Sequence, residues 1–139
     1  MNNVSKYGIS KHSHKGCTNQ YMKLIIQIPC FNEEETLPTS LEELPQEVEG
    51  FETVEWQIID DGSKDRTVEI ARQYGVQHIV QLGSNRGLAH AFMTGLHSAL
   101  KQGADVIVNT DADNQYCAAD IPRLTQPILE GEAQIVIGS

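Results

Sequence analysis

Apolar residues in this chain fall into short dense runs, and between the runs they recur every three or four positions. Leu24-Ile25-Ile26-Gln27-Ile28-Pro29 is the first dense run, rich in β-branched residues, and predicts a strand. From Glu33 to about Glu47 the pattern changes. Leu37, Leu41, Leu44 and Val48 sit three and four apart, which predicts a helix with Pro38 in its first turn. A second strand is predicted from Val54 to Asp60. Asp65-Arg66-Thr67 opens a second helix to about Tyr74, with Gly75 as its stop. Val76 to Leu82 reads as a third strand. Gly87 to about Gln102 reads as a third helix, rich in small residues and closed by Gly103. Asp105 to Val108 is the fourth strand, Ala118 to Glu130 a fourth helix with Asp120 and Pro122 near its start, and Gln134 to Ile137 a fifth strand.

Strands alternating with helices of this length predict right-handed βαβ units. The expected fold is therefore a three-layer α/β/α domain with a mainly parallel sheet covered on both faces. Residues 1–21 are polar and lack periodicity, so they are expected to be a disordered tail, with the folded unit spanning 22–139. Ligands of such sheets bind beyond the carboxyl ends of the strands. In this chain those ends carry Pro29-Cys30-Phe31-Asn32-Glu33, Asp60-Asp61-Gly62-Ser63, Gly83-Ser84-Asn85-Arg86-Gly87 and Asn109-Thr110-Asp111-Ala112-Asp113-Asn114-Gln115. That gathering of acids, amides and glycines on one edge exceeds what turns alone require.

Composition narrows the partners. The formal net charge of −9 argues against a nucleic-acid partner held by general electrostatics. It also means that an anionic substrate needs a local source of positive potential, such as a metal ion. No run approaches the ~18 apolar residues of a membrane span, and no secretory signal pattern is present. Cys17, Cys30 and Cys117 have no metal spacing and form an odd, scattered set, as in a reducing cytoplasm. His12, His14 and Cys17 lie in the polar tail and read as solvated. His90 and His97 read as surface helix residues without a catalytic role.

The chemistry concentrates in these four strand ends. Asp111, Asp113 and Gln115 alternate, so that in an extended or turning backbone their side chains point the same way. Three oxygen donors converging on one point suit a hard divalent cation such as Mg²⁺ or Mn²⁺. Taken alone, the same residues also read as a polar turn capping the next helix. Asp60 and Asp61 are adjacent and point to opposite sides, so one can face a ligand while the protein holds the other. Such an acid can accept from a base N–H or a ribose hydroxyl. Asp65 is a candidate helix cap. Arg86 is a candidate partner for a phosphate or for one of the edge acids. Phe31 is placed to stack on a base or to close the core.

The ordered set Ile28-Pro29-Cys30-Phe31-Asn32-Glu33-Glu34, Asp60-Asp61-Gly62-Ser63-Lys64-Asp65-Arg66-Thr67, Asn85-Arg86-Gly87 and Asp111-Ala112-Asp113-Asn114-Gln115 resembles the family 2 glycosyltransferases of the GT-A fold. Within them it most resembles the dolichyl- and polyprenyl-phosphate sugar synthases, over residues 24–139. The resemblance implies a Rossmann-like nucleotide-diphospho-sugar transferase fold and a single-step, inverting sugar transfer in cell-wall or glycolipid biosynthesis. It implies that Pro29, Phe31 and Glu33 embrace the nucleotide, that Asp61 with Ile59 recognises the base, and that Asp111, Ala112 and Asp113 face the sugar nucleotide. It also implies that Asp113, Gln115 and Asp111 hold Mg²⁺ or Mn²⁺ on the diphosphate of a UDP- or GDP-sugar. A polyprenyl phosphate is the acceptor it suggests, at the cytoplasmic face of a membrane in a full-length form.

Two departures stand out. Phe31 replaces a tyrosine common in the family. The chain also reads as the donor-binding part alone, without the acceptor half that carries the catalytic base, so activity of the isolated chain is not expected and self-association through the open sheet is. The competing reading is a regulatory α/β module binding Mg²⁺ or a nucleotide. A phospho-receiver of that kind needs a lysine after a late strand, and 131–139 has none. The absence of a glycine-rich loop after the first strand counts against a nucleotidyltransferase or a dinucleotide oxidoreductase.

Overall fold

The structure, a computed structural model, describes residues 6–10, 22–112, 120–129 and 135–138. The elements run β1 (Lys6–Ser10), β2 (Lys23–Cys30), α1 (Leu37–Glu43), β3 (Thr53–Asp60), α2 (Thr67–Gln73), β4 (His78–Gln81), α3 (Leu88–Lys101), β5 (Val106–Asn109), α4 (Ile121–Leu129) and β6 (Ile135–Gly138). They form a sheet in the order β4-β3-β2-β5-β1-β6. β4, β3, β2 and β5 pair in parallel. β1 runs antiparallel to both of its neighbours, β5 and β6.

The α/β architecture is as the alternation predicts. The apolar runs of β2, the second half of β3 and β5 become strands buried on both faces, which is what a parallel sheet between two helical layers demands. Leu24, Ile26 and Ile28 of β2 pack on one face with Leu37 and Leu41 of α1, Ile70 and Ala71 of α2, and Ile121 and Ile128 of α4. Ile25 and Ile107 pack on the other face with Leu96 and Ala99 of α3. The chain winds from β2 out to β4, then returns through α3 to β5 on the far side of β2. The strand order therefore reverses between β2 and β5, and the crevice at such a reversal is where open α/β sheets bind ligands.

Two differences from the sequence reading have physical causes. The first helix stops at Glu43, short of the expected Glu47: Leu44 is already extended (ψ 136°), because Pro45 follows it and disfavours the helical region there. The Pro45 carbonyl instead accepts Trp56 Nε1 at 3.1 Å. The second is at the N-terminus. Lys6–Ser10, expected to lie in a disordered tail, form β1, and their main chain supplies the ladder between β5 and β6. Five residues without apolar periodicity gave no local signal for this, since a strand flanked on both sides is held by its neighbours' backbone groups. Gly75 stops α2 at φ +76° as the pattern predicts.

Candidate functional site

The carboxyl ends of β2 and β3 are stitched together by their own loops. Asp61 N–H donates to the Cys30 carbonyl (2.8 Å), continuing the ladder by one bond. Beyond it, Asn32 adopts φ +51°, a left-handed conformation that asparagine tolerates better than most residues. This turns its side chain onto the neighbouring loop: Asn32 Oδ1 accepts from Lys64 N–H (2.9 Å), and Asn32 N–H donates to Ser63 Oγ (2.9 Å). Glu33 N–H donates to Thr67 Oγ1 (2.9 Å), and Glu34 N–H to Asp65 Oδ2 (3.1 Å). Asp65 also accepts from the Thr67 amide (3.0 Å) and hydroxyl. It does not stand at the N-cap of α2, which is Arg66; it makes an Asx-type bond just before the helix and ties that turn to the other loop. Burial pulls the Asp65 pKa up, but the Thr67 side-chain and backbone bonds and the Glu34 amide outweigh it and hold the carboxyl below its ordinary value.

Both adjacent acids are held by the main chain. Asp60 is 4% exposed and accepts from Ser63 N–H (3.1 Å). Asp61 is 5% exposed, and its two oxygens accept from the amides of Arg86 (2.7 Å) and Gly87 (3.0 Å), at the mouth of α3. Both carboxylates of the pair are thus anchored by main-chain amides. Only Asp61 is anchored at the start of a long helix. Arg86 meets Asp61 through its backbone, and its guanidinium-bearing side chain is exposed. Gly62 (φ +82°) allows the loop of 83–87 to lie this close, since a Cβ there would sit 2.6 Å from the Ser84 carbonyl carbon.

The remaining expected residues divide by burial. Pro29 and Ile59 face one another in the β2–β3 register and are buried. Ala112 is buried too, and its carbonyl accepts from Ser40 Oγ of α1 (2.9 Å). Phe31, at 44% exposure, stands open at the edge. Glu33 Oε2 accepts the Thr36 hydroxyl (2.9 Å). Asp111 follows β5, which pairs directly with β2, and is partly exposed at the strand-order reversal. The neighbouring Thr110 is fully buried, and its Oγ1 has no hydrogen-bond partner among the described residues. Asp113 and Gln115 lie outside the described residues. Among the described residues no three His, Cys, Asp or Glu side chains group as metal ligands. The donor that is described, the Asp111 carboxylate, is of the oxygen type a hard cation takes. His90 and His97 are exposed on α3. Cys30 is buried, and that burial, followed by the charges of Glu33, Asp60 and Asp65, raises its pKa well above the usual thiol range, so it stays a protonated core residue and no nucleophile.

Sequence reading missed Asn32, Ser40 and Thr67 as loop fasteners. It also missed a set of buried carboxamides, Gln27, Gln57 and Asn109, whose only linear signal is a polar residue interrupting an apolar run.

The profile of Glycosyl transferase family 2 matches residues 25–139. A UDP-N-acetylglucosamine–dolichyl-phosphate N-acetylglucosaminyltransferase of Methanococcus voltae is 30% identical over 128 residues, covering 81% of this chain and 49% of that protein. An undecaprenyl-phosphate mannosyltransferase of Micrococcus luteus is 31% identical over 122 residues, covering 85% of this chain and 48% of that protein. The chain thus spans about half the length of these relatives. In fold it is similar to glucosyl-3-phosphoglycerate synthase from Mycobacterium tuberculosis, solved with Mn²⁺, uridine-diphosphate and glucosyl-3-phosphoglycerate (TM-score 0.68, 21% identity, 86% of this chain and 46% of that one). The same synthase has been solved with Mg²⁺ and uridine-diphosphate. Among the described residues no helix is long and apolar enough to cross a membrane.

Proposed function

The chain belongs to glycosyl transferase family 2, and from that premise we propose that it binds the nucleotide-diphospho-sugar donor, with a divalent cation, in an inverting transfer to a polyprenyl phosphate. The observation that carries this reading is that two acids stand on the same edge of the sheet, on either side of β2: Asp61, after β3 and anchored at the start of α3, and Asp111, after β5.

In this reading Asp61 is the base-recognising acid. Two backbone amides occupy one lone pair on each oxygen, which leaves acceptor capacity for an N–H of uracil or guanine. Phe31 supplies an exposed ring for the base to stack on, and needs no hydroxyl to do so. Pro29, Ile59 and Glu33 shape the wall behind it. The exposed Arg86 side chain on the same edge meets a phosphate. Asp111, Asp113 and Gln115 hold Mg²⁺ or Mn²⁺, with Ala112 between them. When bound, that cation neutralises charge developing on the diphosphate leaving group. No residue of this chain is assigned as the acceptor's general base. The scattered cysteines fit a cytoplasmic setting.

Calorimetric titration with UDP- and GDP-sugars, with and without Mn²⁺ or Mg²⁺, tests the reading. Metal-dependent binding of one base, abolished by Asp111→Asn and weakened by Asp61→Asn, is expected. A folded chain that binds neither nucleotide with metal overturns it.

A further inference from the structure

Three buried carboxamides cross the centre of the sheet in register. Gln27 of β2 stands opposite Gln57 of β3 on one side and Asn109 of β5 on the other. Gln27 and Gln57 are 0% exposed and Asn109 is 7% exposed. They form one directed chain: Gln57 Nε2 donates to Gln27 Oε1 (3.3 Å), and Gln27 Nε2 donates to Asn109 Oδ1 (3.0 Å). Each glutamine amide also reaches α3, Gln57 Nε2 to the Gly95 carbonyl (2.9 Å) and Gln27 Nε2 to the Phe92 carbonyl (3.4 Å). All four glutamine N–H donors are therefore used. Gly95 makes this approach possible, since a Cβ there would sit 2.6 Å from Gln27 Oε1 and 2.7 Å from Ile59 Cδ1.

Aliphatic side chains would build a parallel strand at these positions without desolvating any polar group. The carboxamides are tolerated there because their N–H donors are all bonded, Gln57 Oε1 alone lacking a partner among the described residues, and made bonds do something that apolar contact does not. Apolar surfaces slide past one another at little cost, whereas bonds of about 3 Å with a required direction do not. The ladder ties α3 along its axis to β2 and β3, and it ties β5 to β2. The two elements so fixed carry the two ends of the site. α3 presents the Arg86 and Gly87 amides that hold Asp61, about 12 Å along the helix from Gly95. β5 ends at Asn109, two residues before Asp111.

We infer that the Gln27–Gln57–Asn109 ladder is a positioning element that sets the separation between the Asp61 end and the Asp111 end of the donor site. Its bearing on the donor rests on the functional reading above; its hold on α3 does not. A ligand that engages one end is indifferent to that separation. A ligand that spans both ends is sensitive to it.

The test uses Gln27→Met, which keeps length and removes every polar bond of Gln27, and Gln57→Met as a second break in the same ladder should the first fail to fold. In the ligand-free chain, amide exchange at Arg86 and Gly87 is expected to quicken roughly tenfold or more, with Ile58 and Ile59 of β3 unchanged. Unchanged exchange at Arg86 and Gly87 in a folded variant overturns the inference whether or not nucleotides bind. The probes for the second arm are UMP and GMP, which reach one end, and UDP and GDP with Mn²⁺, which span both. Monophosphate affinity is expected to stay within about threefold of wild type, and the gain from monophosphate to Mn²⁺-diphosphate to shrink roughly tenfold. A merely structural role would lower both affinities in proportion or lower only the melting temperature, and either result overturns the positioning role. Wild-type protein that binds no probe sinks the donor reading, and the exchange arm then decides the ladder's grip on α3 alone.

Discussion

Single residues at the sheet edge act mainly by holding loops, and the most exacting of them is Gly62. Its φ of +82° and the 2.6 Å approach to Ser84 oppose any side chain at once. Gly62→Ala is expected to cost about 1–3 kcal/mol from backbone strain, with displacement of the 83–87 loop added to it. Urea denaturation measures this, and a loss below about 0.5 kcal/mol, an ordinary surface-substitution effect, contradicts it. Asp65 makes a pH-dependent contribution whose sign follows from its depressed pKa. The ionised form is favoured in the fold, so its stabilisation is present above the unfolded carboxylate value. It is lost as pH falls through the lower folded value, below about pH 4. Wild type and Asp65→Asn should therefore differ in urea midpoint at neutral pH and converge in acid. Parallel curves across that window would show that the Thr67 and Glu34 bonds do not favour the charged form.

Among the elements, α3 bears most directly on the site. It alone covers the face of the sheet that carries Gln27, Gln57 and Ile59 among the described residues, and the two residues that lead into it hold Asp61. Replacing a mid-helix glycine by alanine ordinarily stabilises by ~1 kcal/mol through propensity. At Gly95 the added methyl meets the Gln27 amide and the Ile59 side chain, both fully buried, so overpacking of about 1–3 kcal/mol outweighs that gain. Gly95→Ala is expected to lower the melting temperature, and a rise would mean that α3 can back away from the sheet. At the opposite edge, Glu55 joins Lys23 (3.2 Å) and His78 (3.0 Å), linking the starts of β2, β3 and β4 away from the site. These contacts serve the sheet and leave the other edge to chemistry.

At the scale of the whole molecule, the sheet has two parts of different origin. β4, β3, β2 and β5 follow from consecutive βαβ units and carry every described site residue on their carboxyl ends. β6 is joined to that sheet through β1, which lies before the region matched by the family profile. Removing residues 1–21 is therefore expected to speed amide exchange in 135–138 by roughly tenfold or more while β2 and β3 stay protected. Retained protection at 135–138 would show that another segment can take the place of β1. The net charge of −9 also bears on the whole molecule: in the proposed function an anionic donor approaches an acidic domain, so its binding should depend on the cation and the α3 terminus more than on bulk electrostatics.

What the sequence determined by itself was local and periodic. β-branched runs bounded by glycine and polar turns specify buried strands, three- and four-residue spacing specifies helices, and their alternation leaves little topological choice. The position of the candidate site followed, because acids at strand ends share an edge once the strands are parallel. Tertiary structure decided what each acid is bonded to. Whether Asp61 faces outward or sits on the amides of Arg86 and Gly87 depends on a loop 25 residues further along the chain. That Gln27, Gln57 and Asn109 form one ladder depends on register between three strands, which no single run encodes. β1 was invisible for the same reason, since a strand paired on both sides owes its conformation to its neighbours' backbone groups, and these carry no mark in its own side chains.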